Sequence, residues 1–116
     1  MCEDEVALVR DTGAKACYLI ARSLAQDEAI MVSFMERVRA FKNSRRYTMR
    51  QTFIVMCESV FLGDPDDHSD QARKEAEAIF TEHFLSSFVE LQSDRIVNVR
   101  IHASWTLAIL YEQRER

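Results

Sequence analysis

The sequence predicts an all-α protein. Its 116 residues include only two glycines and one proline, too few for the frequent turns of an all-β fold. The composition is rich in alanine, leucine, glutamate, arginine, methionine and glutamine, which favour helices. Apolar residues also recur at the spacing of a helix face. The length suits one domain, or a fragment of a larger one.

Charge and composition narrow the classes of function. The net charge of −4 argues against nucleic acid as the main partner, because phosphate binding requires a basic field. No apolar run approaches the roughly 18 residues of a membrane span, and the first residues are acidic, unlike a signal peptide. We therefore expect a protein of the cytoplasm or the nucleus. Its cysteines should be free thiols, since they show no paired spacing: Cys2, Cys17 and Cys57.

Apolar periodicity predicts two helices in the first third of the chain. The first covers about 4–25 and the second 27–42, with Asp27 as the N-cap. Residues that we expect to face inward from the first helix are Val6, Val9, Cys17, Ile20, Ala21 and Leu24. Those that we expect from the second are Ile30, Phe34, Val38 and Phe41.

Three further helices are predicted after residue 43. They cover about 45–62, with Ser44 as the cap, then 69–92 and 95–113. The fourth is long enough to contain a kink or a frayed first turn. An acidic loop, 63–70, separates the third helix from the fourth. The third helix should bury Met49, Phe53, Met56, Cys57 and Val60, and the fourth Ala72, Ala76, Ile79, Phe80, Phe84, Phe88 and Leu91.

One short sequence pattern, which we call the phrase, occurs near both ends of the chain: an acid stands six residues before an arginine. Asp4 precedes Arg10 by six residues, as Asp94 precedes Arg100. A weaker copy has Ser44 in place of the acid and ends at Arg50. Apolar or small residues follow each arginine at the third, seventh and tenth positions: Gly13, Cys17 and Ile20; Phe53, Cys57 and Val60; Ala103, Leu107 and Leu110. The arginines lie 40 and 50 residues apart, and the acidic loop falls in the longer interval.

A period of this length with two helices per unit indicates an α-solenoid, and the phrase resembles the HEAT repeat. That resemblance implies a right-handed solenoid of antiparallel helix pairs, about two and a half repeats in five helices. Residues 1–25 would be the inner helix of a partial repeat, and 26–62 and 69–116 the two repeats. It assigns Asp4 and Asp94 to an acid at the turn, and Arg10, Arg50 and Arg100 to an arginine that contacts the next acid. Ser44 departs from the pattern.

The segment FTEHFLSSFVELQSDRIVNVRIHASWTL (80–107) is similar to repeats of the protein phosphatase 2A scaffold subunit and of the protein phosphatase 4 regulatory subunits. The resemblance implies a non-catalytic protein that binds a serine/threonine phosphatase catalytic subunit. Its contact ridge would lie at the turns 42–46 and 92–98. The expected contact residues are Arg45, Arg46 and Arg95, with Tyr47 and Asn98 beside them.

Other functions stay open at this stage. The chain could be a HEAT module of nuclear transport or chromosome organisation, or a small helical protein that binds nucleic acid through 37–50. The acidic loop has carboxylates at calcium-loop spacing (Asp64, Asp66, Asp70 and Glu75), but Ser69 stands where that loop needs glycine. We expect no catalytic site, metal or cofactor, because no phosphate loop, metal motif or triad is evident.

The last predicted helix has two apolar stripes. They consist of Val99, Ala103, Leu107 and Leu110, and of Ile101, Trp105, Ala108 and Ile109. A helix that is apolar on two sides requires cover on both. The second side would be covered by a further repeat or used for association.

Overall fold

The computed structural model describes residues 13, 16–64, 66–67 and 69–114, and the regular structure among them is entirely helical. The all-α prediction is therefore confirmed. The helices are α1 (Cys17–Leu24), α2 (Glu28–Lys42), α3 (Tyr47–Leu62), α4 (Asp70–Ile79), α5 (Leu85–Glu90) and α6 (Val97–Arg114). A π-helical turn (Phe80–Phe84) joins α4 to α5, and a 3₁₀ turn (Leu91–Ser93) follows α5. Since α4 to the 3₁₀ turn is continuous, the described residues form five helical segments.

Local capping fixes where the helices begin and end. The Asp27 carboxylate accepts a hydrogen bond from the Ile30 amide at 3.2 Å, as predicted for this cap. The Ser69 hydroxyl accepts one from the Ala72 amide at 3.2 Å and starts α4. Gly63 ends α3 at φ +75°, and a Cβ there would lie 3.1 Å from Cβ of Ala76. Glycine is thus required by both the backbone and the space.

The predicted cap of the third helix is wrong by two residues. The helix begins at Tyr47, after Arg46, rather than after Ser44. The Ser44 hydroxyl accepts a hydrogen bond from the Arg46 amide at 3.2 Å instead. Serine here closes a turn ahead of the helix, a local use of the hydroxyl that competes with capping.

Helix α3 lies at the centre of the fold. It packs against α1 on one side and α6 on another, and it also contacts α2, α4, the π-turn and α5. Four of its side chains are fully buried: Phe53, Ile54, Cys57 and Val60. The ring of Phe53 stacks on Phe84 at 6.1 Å between centroids, and Phe61 meets Phe80 edge to face at 5.3 Å. The core of the described residues is therefore organised around this helix.

The inward faces differ in part from the predicted ones. In α2 the buried residues are Met31, Met35 and Val38, whereas Ile30 is exposed. In α1 Ile20 is exposed and Tyr18 is buried instead. Cys17, Ala21 and Val38 are buried as predicted. The inward face of each helix is therefore only partly shifted, because periodicity places a face loosely when apolar residues are adjacent. In α6 Leu107 is exposed and Thr106 is buried.

The length of the fourth helix predicts a kink or a frayed first turn, and the structure has a π-turn at Phe80–Phe84. The buried side chains of the helix follow one another at intervals of four: Ala72, Ala76, Phe80, Phe84 and Phe88. In an ideal α-helix such a stripe drifts by about 40° per step. The wider π-turn, which accommodates about one extra residue, removes much of that drift. The stripe therefore stays on the core side along the whole segment.

Within the described ranges, no helix combines the length and the apolar character that crossing a membrane requires.

Candidate protein-interaction ridge

Two turns of the chain have the same hydrogen-bond pattern. In the turn before α3, the Ser44 hydroxyl accepts from the Arg46 amide, and Nη1 of Arg50 donates to the Ser44 carbonyl at 2.8 Å. In the turn before α6, the Asp94 carboxylate accepts from the Ile96 amide at 2.9 Å, and Nη1 of Arg100 donates to the Asp94 carbonyl at 2.6 Å. The six-residue phrase therefore closes two equivalent turns, 50 residues apart.

The two turns are joined by an ion pair. Nε of Arg50 lies 2.6 Å from Oδ2 of Asp94, and Nη2 lies 3.0 Å from Oδ1. This is a two-bond fork between guanidinium and carboxylate, which has defined geometry as well as charge. Both side chains are only 7% exposed. The pair links helix α3 to the turn that begins α6, across 44 residues of sequence.

The environment of Asp94 favours its charged form. Burial alone would raise the pKa of this carboxyl. Hydrogen bonds from Arg50 and the Ile96 amide, with the positive charges of Arg50 and Arg95, outweigh burial and hold the pKa below its usual range. Asp94 is thus an anion that satisfies three donors at once.

The other residues of the phrase contribute differently. Asp4 and Arg10 lie outside the described residues. Arg100 is half-buried and donates to the Asp94 carbonyl. Ser44 takes over the turn-closing function of Asp94 through its hydroxyl, but it has no charge to offer an arginine. The departure from the acid therefore leaves the turn intact and affects only the ion-pair position.

The predicted contact residues lie on these two turns or in the first turn of the helix that follows, and all are exposed. We call them the turn ridge: Arg45, Arg46, Tyr47, Arg95 and Asn98. Tyr47 is 43% exposed. None of the three arginines forms an ion pair within 4 Å with a described residue. The Arg50–Asp94 pair joins the two halves of the ridge, so its exposed arginines stand on turns that are tied to one another.

Lys42 forms a second ion pair, which no sequence pattern predicts. Its amine pairs with the carboxylate of Glu90 at the end of α5. The Lys42 side chain is largely buried, whereas Glu90 is more than half exposed. Because the repeated phrase includes neither residue, the contact is evident only from the structure.

The acidic loop shows a different use of its carboxylates. Nη1 of Arg22 in α1 lies 3.5 Å from Oδ2 of Asp64, and Nε of Arg22 lies 3.6 Å from Oε2 of Glu75. Two of the four residues at calcium-loop spacing thus face an arginine. In the described part of the chain, no three histidine, cysteine, aspartate or glutamate residues are grouped so as to hold a metal ion.

The described cysteines are embedded in the core. Cys17 and Cys57 are both buried free thiols. Burial raises the pKa of Cys17 to about 12, and the pKa of Cys57 is also raised, by burial and then by the nearby Cys17. Thiols in this state are poor nucleophiles at neutral pH.

Comparisons with protein families, with curated proteins and with solved structures found no match to this chain.

Proposed function

We propose that the chain is a segment of a right-handed HEAT-type α-solenoid that acts as a non-catalytic scaffold in the cytoplasm or nucleus. The observation that supports this most is the pair of equivalent turns at Ser44 and Asp94, tied by Arg50. Repeated turns with matching contacts are what a stack of like helix pairs requires. The specific proposal is a regulatory or scaffold subunit of a serine/threonine protein phosphatase, in line with the resemblance of residues 80–107.

The turn ridge is the proposed contact surface. Arginine and tyrosine are frequent anchors of protein interfaces, and here they stand exposed on a supported turn. The ridge is positive although the chain carries −4 overall. A complementary partner therefore offers acidic groups, and steering by opposite charge would speed the encounter.

The basic stretch 37–50 supports a nucleic-acid partner less well than the sequence suggests. Arg50 is bound to Asp94 and Lys42 to Glu90. Val38 is buried and Phe41 half-buried. Two of the positive charges are thus engaged within the protein, and phosphate binding draws on free ones. The geometry favours a protein partner.

The test is binding to a purified phosphatase catalytic subunit, measured by isothermal titration calorimetry. The variant Arg45→Glu with Arg46→Glu should bind at least about tenfold more weakly, because two ridge charges are reversed. The matched control is Arg73→Glu with Lys74→Glu, an equal change of charge at exposed positions of α4. Circular dichroism should show the same helicity for all three proteins.

Two results would count against the proposal. Wild-type protein that binds no catalytic subunit of this enzyme class would remove the phosphatase assignment and leave a scaffold for another partner, such as a transport or chromosome factor. Equal weakening by the ridge variant and the α4 control would show that net charge, rather than the ridge, determines binding.

A further inference from the structure

Thr48 is the one serine or threonine of the chain that has arginines both two and three residues before it. These arginines, Arg46 and Arg45, are exposed and form no ion pair within 4 Å with a described residue. Protein kinases select substrates by charge around the acceptor hydroxyl, and those with acidic pockets bind arginines that precede it. The segment RRYT (45–48) therefore has the charge pattern of a kinase substrate.

The hydroxyl of Thr48 is free to react. Its side chain is half-buried, and its Oγ1 forms no hydrogen bond with a described residue. The threonine one turn later differs, because Thr52 is buried and its hydroxyl donates to the Thr48 carbonyl at 3.0 Å. Thr48 is thus the more accessible acceptor at the start of α3.

The start of α3 can open without loss of the central contacts. No side chain caps its first turn, whereas Asp27 caps α2 and Ser69 caps α4. The first residue of α3, Tyr47, is 43% exposed, and full burial begins at Arg50. An uncapped and exposed first turn belongs to the less stable parts of a fold. A kinase can therefore bind this segment in an extended conformation while the rest of α3 stays packed.

A phosphate on Thr48 would lie in positive surroundings. The first turn of α3 contains no acidic residue, and the amino end of a helix has partial positive charge. Arg45 and Arg46 add two full charges close to Thr48 in sequence. A phosphate carries about −1.5 to −2 charges at pH 7 and accepts hydrogen bonds from arginine. It would therefore be stabilised at this position and would cancel the charge of both arginines.

We propose that Thr48 is phosphorylated by an arginine-directed protein kinase, and that the phosphate pairs with Arg45 and Arg46 and releases the partner from the turn ridge. Oγ1 of Thr48 attacks the γ-phosphorus of ATP, which the kinase supplies. The Oγ1–P bond forms as the bond from phosphorus to the ADP leaving group breaks, and a base of the kinase takes the hydroxyl proton. Release of the partner rests on the proposed function, whereas the phosphorylation does not.

Phosphorylation is tested on the folded full chain with ATP and the catalytic subunit of cyclic-AMP-dependent protein kinase, an enzyme that selects arginine at these two positions. Mass spectrometry should show one added phosphate, and fragmentation should place it on Thr48. Thr48→Val should take up none. The matched control Thr81→Val, at an exposed threonine, should react like the wild type. Circular dichroism should show equal helicity for all three proteins.

The role of the two arginines in recognition has its own variants. Arg45→Ala with Arg46→Ala should lower the rate of phosphorylation at least about tenfold, because the charges that the kinase binds are removed. Arg73→Ala with Lys74→Ala, an equal loss of charge at exposed positions of α4, should leave the rate unchanged. The proposal is overturned if the folded chain takes up no phosphate while a standard substrate peptide does, or if Thr48→Val reacts like the wild type.

Phosphorus NMR spectroscopy tests the pairing of the phosphate with the arginines. The second pKa of the phosphate should be lower in the folded chain than in the same chain unfolded in urea, because nearby positive charge favours the dianion. Equal pKa values in the two states would contradict the pairing.

Calorimetry with a phosphatase catalytic subunit whose active site is blocked by an inhibitor tests the release. The phosphorylated chain should bind at least about tenfold more weakly than the unmodified chain. Equal binding would overturn the release. If the unmodified chain does not bind either, the phosphatase assignment fails and the release fails with it, while the phosphorylation of Thr48 is decided by mass spectrometry alone.

Discussion

Arg50 and Arg100 illustrate how far a single residue can be understood from its place in a phrase. Each donates Nη1 to the carbonyl six residues before it. Their difference lies in what comes next in the chain, because only Arg50 has a following turn acid among the described residues. The spacing of acid and arginine could be seen in the sequence. The use of the Ser44 hydroxyl as a substitute for the Asp94 carboxylate could not, since it depends on backbone geometry in the turn.

The two kinds of arginine should differ in their effect on stability. Arg100→Ala removes a charged hydrogen bond from the Asp94 carbonyl and should lower the free energy of unfolding by about 1.5 kcal/mol. Arg46→Ala removes an exposed side chain and should change it by less than about 0.5 kcal/mol. Urea unfolding followed by circular dichroism measures both. Equal losses would contradict the assignment of Arg100 to the turn.

His102 should make stability depend on pH. Burial lowers the pKa of its imidazole, and the charge of Glu58 opposes this only in part. The unfolded chain therefore binds a proton more readily than the folded chain. The stabilisation that comes from the neutral His102 imidazole is complete above the unfolded pKa of about 6.5. It falls as the pH drops through that value, until the imidazole of the folded chain also takes up a proton.

The corresponding measurement is urea unfolding between about pH 8 and pH 5. The wild type should lose stability over this range, and His102→Gln should lose less, because it has no proton to take up. If the free energy of unfolding falls as steeply with pH in His102→Gln as in the wild type, other groups cause the pH dependence.

At the scale of helices, the fourth segment is the most informative. The sequence predicts its extent, and the length indicates a kink or a frayed first turn. The buried side chains at 72, 76, 80, 84 and 88 carried a stronger signal. A strict four-residue stripe does not fit an α-helix of 3.6 residues per turn, so it indicates a wider turn somewhere along it. The position of that turn depends on packing of the phenylalanines with α3 and could not be read from spacing.

Deletion of Thr81, which is exposed in the π-turn, should be tolerated. Removing one residue lets the turn close as an α-helix while the segments on each side keep their orientation. We expect a change in the free energy of unfolding within about 1 kcal/mol. Helix α3 contains no π-turn that could absorb a deletion. Deletion of Glu58 should therefore rotate one half of α3 by about 100° relative to the other half and prevent folding. Thermal unfolding separates the two, and equal disruption would show that the π-turn is not an insertion of this kind.

At the scale of the molecule, composition and periodicity were sufficient to predict an all-α chain of five helical segments. The central place of α3 is seen in its packing, because it contacts α1, α2, α4 and α6. The exact inward faces of α1 and α2 could not be predicted, because adjacent apolar residues such as Ile30 and Met31 compete for the same face. Which of them is buried depends on contacts with distant helices.

The covering of α6 was the least predictable feature. Its two apolar stripes required partners on both sides, but only packing shows which stripe meets α3. Val99, Ala103 and Leu110 are buried there, whereas Leu107 belongs to the open side. Composition does not show which stripe is buried, because neither stripe contains a charged residue.

The joining of the two turns by Arg50 and Asp94 is tested most directly by a double-mutant cycle on the free energy of unfolding. Arg50→Met keeps much of the packing, and Asp94→Asn keeps an acceptor for the Ile96 amide. Urea unfolding of the wild type, both single variants and the double variant at pH 7 yields their coupling energy. For a buried fork of this kind, we expect a coupling of about 1–3 kcal/mol. A coupling below about 0.3 kcal/mol would contradict the view that the repeated phrase ties one helix pair to the next.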